Sequence, residues 1–545
     1  MTEQADVVIV GAGIAGLLAA WRLAKAGTKV LVLEAGPRGE RYEALAAFRR
    51  ALVKTPESPY PAAPHAPQPS VLHLNRYYVQ EGPQLFKGTY LRRVGGTTWH
   101  WMGTALRHRP NDFRLRSVYS LGVDWPISYE DLEPWYAAAE RQLGVAGSGD
   151  HGSPRRTAYP MPEIPATYLD KQVAAAAKPW GLTVEVSPQA RNSRDYDDRP
   201  ACCGSASCIP ICPTRAKYDA SVHAAKAKQA GARILDNAVA HFVEVGSDGL
   251  VAAIRYKRPD GSEGCARGRI FILAAHAIET PKLLLQSRSD TLPRGVANFS
   301  DQVGRNLMDH PGQLSWALAA EPLYPFRGPI EVSGIEAYRD GKFRRHHAAF
   351  RTPLANDGWS WPGGGPLDLA QELIQQGLRG AELDRAIRAQ ASRQIRVFSM
   401  MEQLPDPKNR ITPAFDKLDA LGLPRPRIRY RVDEYVLTGM AKARKLHERI
   451  FKGLGASFFR HREDFESPGH IMGTLHMGHD PNTSVVDAQL RSHDHANLFL
   501  LGSGVFPTAG TANPTLTIAA LSLRAAEHIL KDLVCQKEIG TTHLP

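Results

Sequence analysis

Gly11, Gly13 and Gly16 stand in the spacing G-x-G-x-x-G. The first glycine of such a motif permits a tight turn. The second lets a pyrophosphate approach the backbone, and the third lets a helix pack closely on a strand. The pyrophosphate then sits at a helix N-terminus. Glu34 follows at the end of the next apolar run, where a carboxylate accepts hydrogen bonds from an adenosine ribose. FAD and NAD share this kind of site, so the glycines and the acid do not choose between them. A second group of reactive residues lies in the segment 202–212. Four of the six cysteines, Cys202, Cys203, Cys208 and Cys212, fall there. Close spacing lets several thiolates face one centre. Pro213, directly after the last cysteine, is a feature of bacterial iron–sulfur loops. Zinc and a disulfide are the rivals. Zinc lacks its usual paired C-x-x-C spacing. A disulfide needs an oxidising compartment and leaves the composition of the loop unexplained. Cys265 and Cys535 are isolated and read as plain structural thiols.

The elements that must position these groups follow from hydrophobic patterning. Val7–Val10 reads as a buried parallel strand, residues 14–26 as a helix and Thr28–Glu34 as a second strand, which together make one βαβ unit. Pro56, Pro59, Pro61, Pro64, Pro67 and Pro69 mark an irregular surface segment. Residues 221–230 are expected to be helical. Residues 232–245 and 251–257 are expected as strands joined by a turn, and Arg269–Ala274 as a further strand. The segment from Pro281 to Gln286 opens a helix. Trp359–Pro366 is a Gly/Pro-rich loop before a helical run at 367–390, and a last helix runs from Thr515 to Val534. The dinucleotide motif is N-terminal, yet strong motifs return near residue 500. The nucleotide domain is therefore expected to be discontinuous, with a substrate domain inserted.

Composition sets limits. The 545 residues allow roughly two or three packed cores. With 43% hydrophobic and 22% charged residues the chain is of ordinary globular composition, which argues against extensive disorder. Lys and Arg outnumber Asp and Glu, 67 to 55, for a net charge of +12. That excess suits an acidic partner or anionic lipid, but no clustered basic run is present, so no nucleic-acid partner is expected. No apolar stretch reaches the roughly 18 residues of a membrane span. Met1 to Asp6 hold no secretory signal before the first strand. The expectation is a cytoplasmic chain, or one exported folded with a partner that carries the signal.

Further motifs carry a family resemblance. Val94-Gly-Gly-Thr-Thr-Trp-His-Trp101 resembles the flavin-contacting loop of the glucose-methanol-choline (GMC) oxidoreductases. Ala274-Ala-His-Ala-Ile-Glu-Thr-Pro-Lys-Leu-Leu-Leu285 resembles that family's second signature, and Val303-Gly-Arg-Asn-Leu-Met-Asp-His-Pro311 is a third match. His470-Ile-Met-Gly-Thr474, Ser484-Val-Val-Asp487 and Asn513-Pro-Thr-Leu-Thr-Ile518 complete the pattern in family order. The narrower likeness is to the large FAD/iron–sulfur subunits of membrane-associated bacterial sugar dehydrogenases, among them FAD glucose, fructose and gluconate 2-dehydrogenases. Pro110-Asn-Asp-Phe113 and the run Arg191-Asn-Ser-Arg-Asp-Tyr-Asp-Asp-Arg-Pro200 carry it. Two departures stand out. Gly502 and Gly504 replace a common Asp-x-Ser, so that flavin contact falls to the backbone. Gly469 replaces an Asn often found before the catalytic His, so the resemblance does not fix the sugar.

The resemblance implies an α/β fold. A discontinuous Rossmann-like FAD-binding domain spans 1–310, with the cysteine loop at 200–214, and 464–545. An inserted α+β substrate-binding domain spans 311–463. FAD is expected at Gly11, Gly13, Gly16, Glu34, Gly95, Gly96, Thr97, His100, Trp101, Val239, Gly502 and Asn513. His470 is implied as the base, a task its side chain suits with an unperturbed pKa near 6.5. Asn513 is implied as the second group on the same substrate oxygen. His476 and His479 lie nearby but match no catalytic position. In pyranose-oxidising relatives a His at the spacing of His100 bonds covalently to flavin; packing beside a noncovalent flavin is the reading preferred here. The cysteines become a [3Fe-4S] cluster on Cys202, Cys208 and Cys212, with Cys203 as a neighbour. The implied activity is dehydrogenation of an alcohol group of a sugar, polyol or sugar acid. Electrons leave through the cluster to a multihaem cytochrome c subunit. A small helper subunit with an export signal would bring the chain to the periplasmic face of a bacterial inner membrane, the alternative location being the cytoplasm. The alternative activities are a self-contained oxidase using oxygen, which needs no cluster, and a redox-sensing FAD protein, against which His470 and Asn513 argue.

Overall fold

The apolar run Val7–Val10 forms a central strand buried on both faces, as a strand in a parallel sheet must be. In the computed structural model, which describes residues 2–52, 55, 57–357 and 366–541, it lies between Ile270–Leu273 and Val30–Leu33. Leu498–Leu500 and Arg233–Leu235 close the two edges, and every neighbouring pair runs parallel. The sheet therefore draws strands from both ends of the chain. Helix Ile14–Lys25 packs on this sheet and against helices Ser221–Gln229 and Thr515–Thr541. A four-stranded sheet of Thr2–Gln4, Glu263–Arg267, Val251–Lys257 and Val239–Val245 adjoins it.

Several elements differ from the sequence expectation for physical reasons. The run 232–245 divides between the two sheets, with Asn237 in the left-handed region (φ +53°) at the break. The helix expected from Pro281 begins earlier, at His276. Pro281 has no N–H to return to the Ala277 carbonyl, and the Thr474 hydroxyl donates to that carbonyl instead, at 2.6 Å. The run 367–390 is two helices, Pro366–Gln375 and Gly380–Ala391, separated where Gly377 takes φ +96°. The last helix extends to Thr541. Pro56 and residues 359–365 of the expected Gly/Pro-rich loop lie outside the described residues.

The middle of the chain builds a six-stranded antiparallel sheet in the order Phe458–His461, Gly312–Leu318, Gln394–Met401, Phe350–Ala355, Glu331–Ile335 and Glu185–Val186. Its last strand comes from before residue 310. Helix Glu434–Gly453 packs on it, with Asp433 capping the Val436 N–H at 3.1 Å. Val436, Met440, Ala443, Leu446 and Ile450 form the buried stripe of that helix, and the larger of them contribute roughly 1.5–3 kcal/mol each by burial. Leu314, Trp316, Pro353, Arg396, Phe398 and Met400 of the sheet line a cavity. A three-stranded sheet, Arg410–Leu418, Pro424–Arg429 and Val79–Glu81, completes the fold. Among the described residues no helix is long and apolar enough to cross a membrane.

Candidate active site

One cavity of about 820 Å³ runs from the dinucleotide turn to the antiparallel sheet. That is near the upper end of the roughly 300–1,000 Å³ typical of ligand pockets. Gly11, Gly13, Glu34, Gly96, Thr97, His100, Trp101, Val239, His470, Gly502 and Asn513 all line it. Gly16 and Gly95 do not, and their roles are steric. A Cβ on Gly16 would stand 2.0 Å from the Gly11 carbonyl oxygen, so the helix can approach the turn only without a side chain. Gly95 (φ +96°) donates to the Ala12 carbonyl at 2.7 Å, and a Cβ there would meet the Trp99 ring nitrogen at 2.5 Å.

The end of the cavity at Gly13 has room for a phosphate and a ribose. A Cβ on Gly13 would meet nothing within 4 Å, so that side of the turn is free for a ligand. Gly13 is also the residue that caps helix Ile14–Lys25. The Glu34 carboxylate accepts from the Ala12 N–H at 2.8 Å and from the Gly36 N–H at 2.9 Å. Burial raises its carboxyl, and the Gly36 and Ala12 N–H groups oppose that rise. Gly13→Val is expected to leave the chain folded while abolishing dinucleotide binding, because the new side chain fills the cradle rather than the core. Circular dichroism and the cofactor released per chain on denaturation check it; a variant that retains its cofactor excludes Gly13 as the cradle.

The other end holds a histidine pair. Asp309 fixes the backbone there, accepting from the His310 N–H at 2.7 Å and the His470 N–H at 2.8 Å; it also accepts from Ser467. His470 Nδ1 lies 2.9 Å from His310 Nδ1, and the rings meet edge to face. His310 Nε2 lies 3.1 Å from the Gly510 carbonyl oxygen. A carbonyl only accepts, so neutral His310 carries its proton on Nε2 and presents a bare Nδ1. His470 must then donate from Nδ1, which leaves its Nε2 unprotonated. Asn513 Nδ2 stands 3.3 Å from that nitrogen. The amide is oriented by Arg351, whose Nη1 donates to Asn513 Oδ1 at 3.2 Å. Arg351 is itself held by Glu336 at 3.0 Å, Ser187 at 2.9 Å and Glu331 at 3.4 Å. This is an unprotonated ring nitrogen beside an oriented amide donor.

Burial, then the charge of His108, pushes His310 down to about 4. Burial, then His310 and Arg351, holds His470 well below its usual 6.5. The neutral ring is the form that takes a proton, and a lowered pKa keeps the ring neutral to lower pH. The acid limb of kcat/KM is therefore expected well below pH 6.5. A pH profile of kcat/KM checks this, and a limb at or above 6.5 contradicts the geometry. His476 pairs with Asn306 at 3.1 Å and His479 is exposed; neither lines the cavity.

The cysteine loop abuts the cavity from outside it. Ile209 lines the cavity next to Cys208. Cys208 and Cys212 are buried, Cys202 is half-buried and Cys203 is exposed. The Lys217 N–H donates to Cys212 Sγ at 3.5 Å and the Gly204 N–H to Cys202 Sγ at 3.4 Å. Burial raises the Cys202 thiol. At Cys212, burial is outweighed by the Lys217 N–H and ammonium, and the thiol is lowered. Among the described residues no three His, Cys, Asp or Glu side chains converge as on a single metal ion. A cluster gives each cysteine its own iron and so asks for thiols around a wider space. N–H donors on two sulfurs, and a buried Arg191 Nε with no hydrogen-bond partner, suit an anionic group in this loop.

Sequence reasoning named His310 and Asp309 only as parts of a motif, and it missed Arg351, Glu331, Arg191 and Lys217 as participants. The Asp-His pair offered a local signal. Arg351 offered none, because its partner lies far away in sequence.

Comparison with known proteins adds a separate line. Residues 405–522 match the family model for GMC oxidoreductase, and residues 6–189 that for FAD dependent oxidoreductase. The chain is 41% identical to the fructose dehydrogenase large subunit of Gluconobacter japonicus, covering 98% of this chain and 99% of that protein. It is 30% identical to 6'''-hydroxyparomomycin C oxidase of Streptomyces lividus, covering 98% and 92%. The solved structure of pyridoxine 4-oxidase from Mesorbium loti matches with a TM-score of 0.62 and 18% identity, over 96% of this chain and 99% of that one. That last likeness concerns the fold.

Proposed function

The chain belongs to the GMC oxidoreductase family, and from that premise we propose that it is the catalytic subunit of a sugar dehydrogenase that passes its electrons to a cytochrome. It is an FAD-dependent oxidoreductase acting on sugar or alcohol groups. The observation that carries the finer reading is the pairing of an oriented His470–Asn513 site with a cysteine loop against the same cavity.

In this reading Gly11, Gly13 and Glu34 hold the pyrophosphate and ribose of FAD. Gly96, Thr97, His100, Trp101, Val239 and Gly502 line the remainder of its site, and His100 packs beside a noncovalent flavin. Bound flavin supplies the acceptor for the hydride on the alcohol carbon. His470 Nε2 takes the hydroxyl proton. Asn513 Nδ2 donates to the same substrate oxygen and holds the alcohol in one orientation, while Arg351 keeps the amide from turning over. His310 and the Gly510 carbonyl keep the proton of neutral His470 on Nδ1, away from the substrate. Cys202, Cys208 and Cys212 would hold a [3Fe-4S] cluster, which would supply a one-electron exit. The domain division at 310 and 463 is part of this reading.

The relative from Gluconobacter is named as a large subunit, which supports subunit partners. We assign these as a small helper with an export signal and a multihaem cytochrome c, at the periplasmic face of a bacterial inner membrane. The competing reading, a self-contained oxidase, draws on the Streptomyces relative. Dye-coupled activity across a panel of sugars and sugar acids, with EPR of the anaerobically purified protein, decides between them. Sugar-dependent dye reduction with an iron–sulfur signal supports the dehydrogenase. Rapid oxygen consumption without iron supports the oxidase. Fractionation of cells expressing the chain with and without its neighbouring subunits tests the location, and an active enzyme that stays cytosolic in both overturns it.

A further inference from the structure

Between the cavity and the cysteine loop lie two buried cations. Lys217 and Arg191 are each 1% exposed and face each other across an antiparallel bridge. The Lys217 ammonium donates to the Trp99 carbonyl at 3.0 Å and the Trp101 carbonyl at 2.5 Å. Arg191 donates to the Met102 carbonyl at 3.1 Å and the Glu331 carbonyl at 3.5 Å. Trp101 and Met102 belong to the wall of the cavity. On the other side, the Lys217 N–H reaches Cys212 Sγ at 3.5 Å, and Asn192, next to Arg191, accepts the Cys202 N–H at 2.8 Å. Each cation therefore sits on a segment that ties one end of the cysteine loop to the cavity wall.

Among the described residues neither cation has a carboxylate at ion-pair distance. Most other buried arginines are paired, as Arg344 is with Glu402 and Asp112, and Arg351 with Glu336, while Arg199, close to the same loop, donates only to the Leu143 and Ala216 carbonyls. A buried charge without a counter-ion costs several kcal/mol, and Arg191 Nε in addition lacks any hydrogen-bond partner. A negative group beside them would compensate both charges.

We propose that Lys217 and Arg191 form a cationic seam that raises the reduction potential of the group held by Cys202, Cys208 and Cys212 and so draws electrons out of the cavity. The proposal rests on the cluster reading above. One alcohol and two oxidised one-electron acceptors give one carbonyl, two reduced acceptors and two protons. Each electron passing through the loop adds one negative charge to a group already bound by thiolates, and the two cations stabilise that added charge. They are positioning residues, acting through the loop they hold.

The test uses the full chain purified anaerobically, with ferricyanide as the one-electron acceptor. Lys217→Met and Lys217→Gln remove the charge, the second keeping a donor for the carbonyls. Lys217→Arg keeps the charge. Potentiometric titration followed by EPR is expected to move the midpoint of both neutral variants to lower potential. The shift is on the order of tenfold in the oxidised-to-reduced ratio, about 59 mV for one electron. Reoxidation by ferricyanide should slow more than substrate-driven bleaching of the flavin, and Lys217→Arg should restore both. Loss of iron from both neutral variants with retention in Lys217→Arg also supports a requirement for the charge. An unmoved midpoint in iron-replete Lys217→Gln overturns the seam while leaving the cluster in place, as does a Lys217→Arg variant that behaves like the neutral ones. A parent protein free of iron and sulfide overturns the cluster reading and the seam with it.

Discussion

His470→Ala is expected to lower kcat by about 10²–10⁴-fold, the usual worth of a positioned general base. FAD content should be unchanged. The dinucleotide end of the cavity is built by Gly11, Gly13 and Glu34, none of which leans on the imidazole. The loss follows from the hydrogen-bond chain in the site. With the ring gone, His310 Nδ1 loses its donor and Asn513 Nδ2 loses its partner, yet Arg351 still orients the amide. Substrate should therefore still bind, and the damage should fall mainly on kcat. Asn513→Ala should act differently, raising KM as well, because the amide is in place before the proton moves. Rapid-mixing measurement of substrate-driven flavin bleaching reads the chemical step directly. A His470→Ala variant that bleaches at the parent rate would remove this residue from the reaction. His310→Gln offers a second reading of the same hydrogen-bond chain. It frees the tautomer of His470 without removing the ring, so it should lower the rate less than His470→Ala does.

Much of the dinucleotide half was legible because its information is local. Gly11, Gly13 and Gly16 follow an apolar strand directly, and Glu34 closes the next one, so a short window holds the pattern. Elements failed where the deciding contact was distant. Local pattern opens the helix at Pro281 rather than His276 because the Thr474 hydroxyl that satisfies the Ala277 carbonyl is 197 residues away. The helical run at 367–390 was read through Gly377, where a left-handed residue divides it in two. The active-site partners follow the same rule. His310 and His470 are 160 residues apart, and Arg351 and Asn513 are 162 apart. No periodicity or spacing encodes a pair brought together from distant segments of the chain. The family motifs marked His470 and Asn513, but the groups that set their tautomer and orientation appear only in three dimensions.

Cys208→Ser is expected to separate the two halves of the turnover. Serine nearly matches cysteine in size, and Cys208 is buried with its thiol donating only weakly, at 3.6 Å, to the Ser205 carbonyl. The loop should therefore keep its fold. A hydroxyl is a poor substitute for a thiolate on iron, so iron and sulfide should fall and the EPR signal should vanish. Neither His470 nor Asn513 touches this loop, and substrate should still bleach the flavin at near the parent rate. What should disappear is transfer to a cytochrome c, because Ile209, beside Cys208, lines the cavity and the proposed exit through the loop would start there. Small dyes that reach the cavity itself should still turn over slowly. That contrast distinguishes an exit from a merely structural loop: unfolding would remove flavin bleaching and dye activity together. If the serine variant keeps its iron and its cytochrome-linked rate, Cys208 is not a ligand and the electrons leave by another path. If it loses iron but still reduces cytochrome at the parent rate, the cluster of the parent protein does not carry the current.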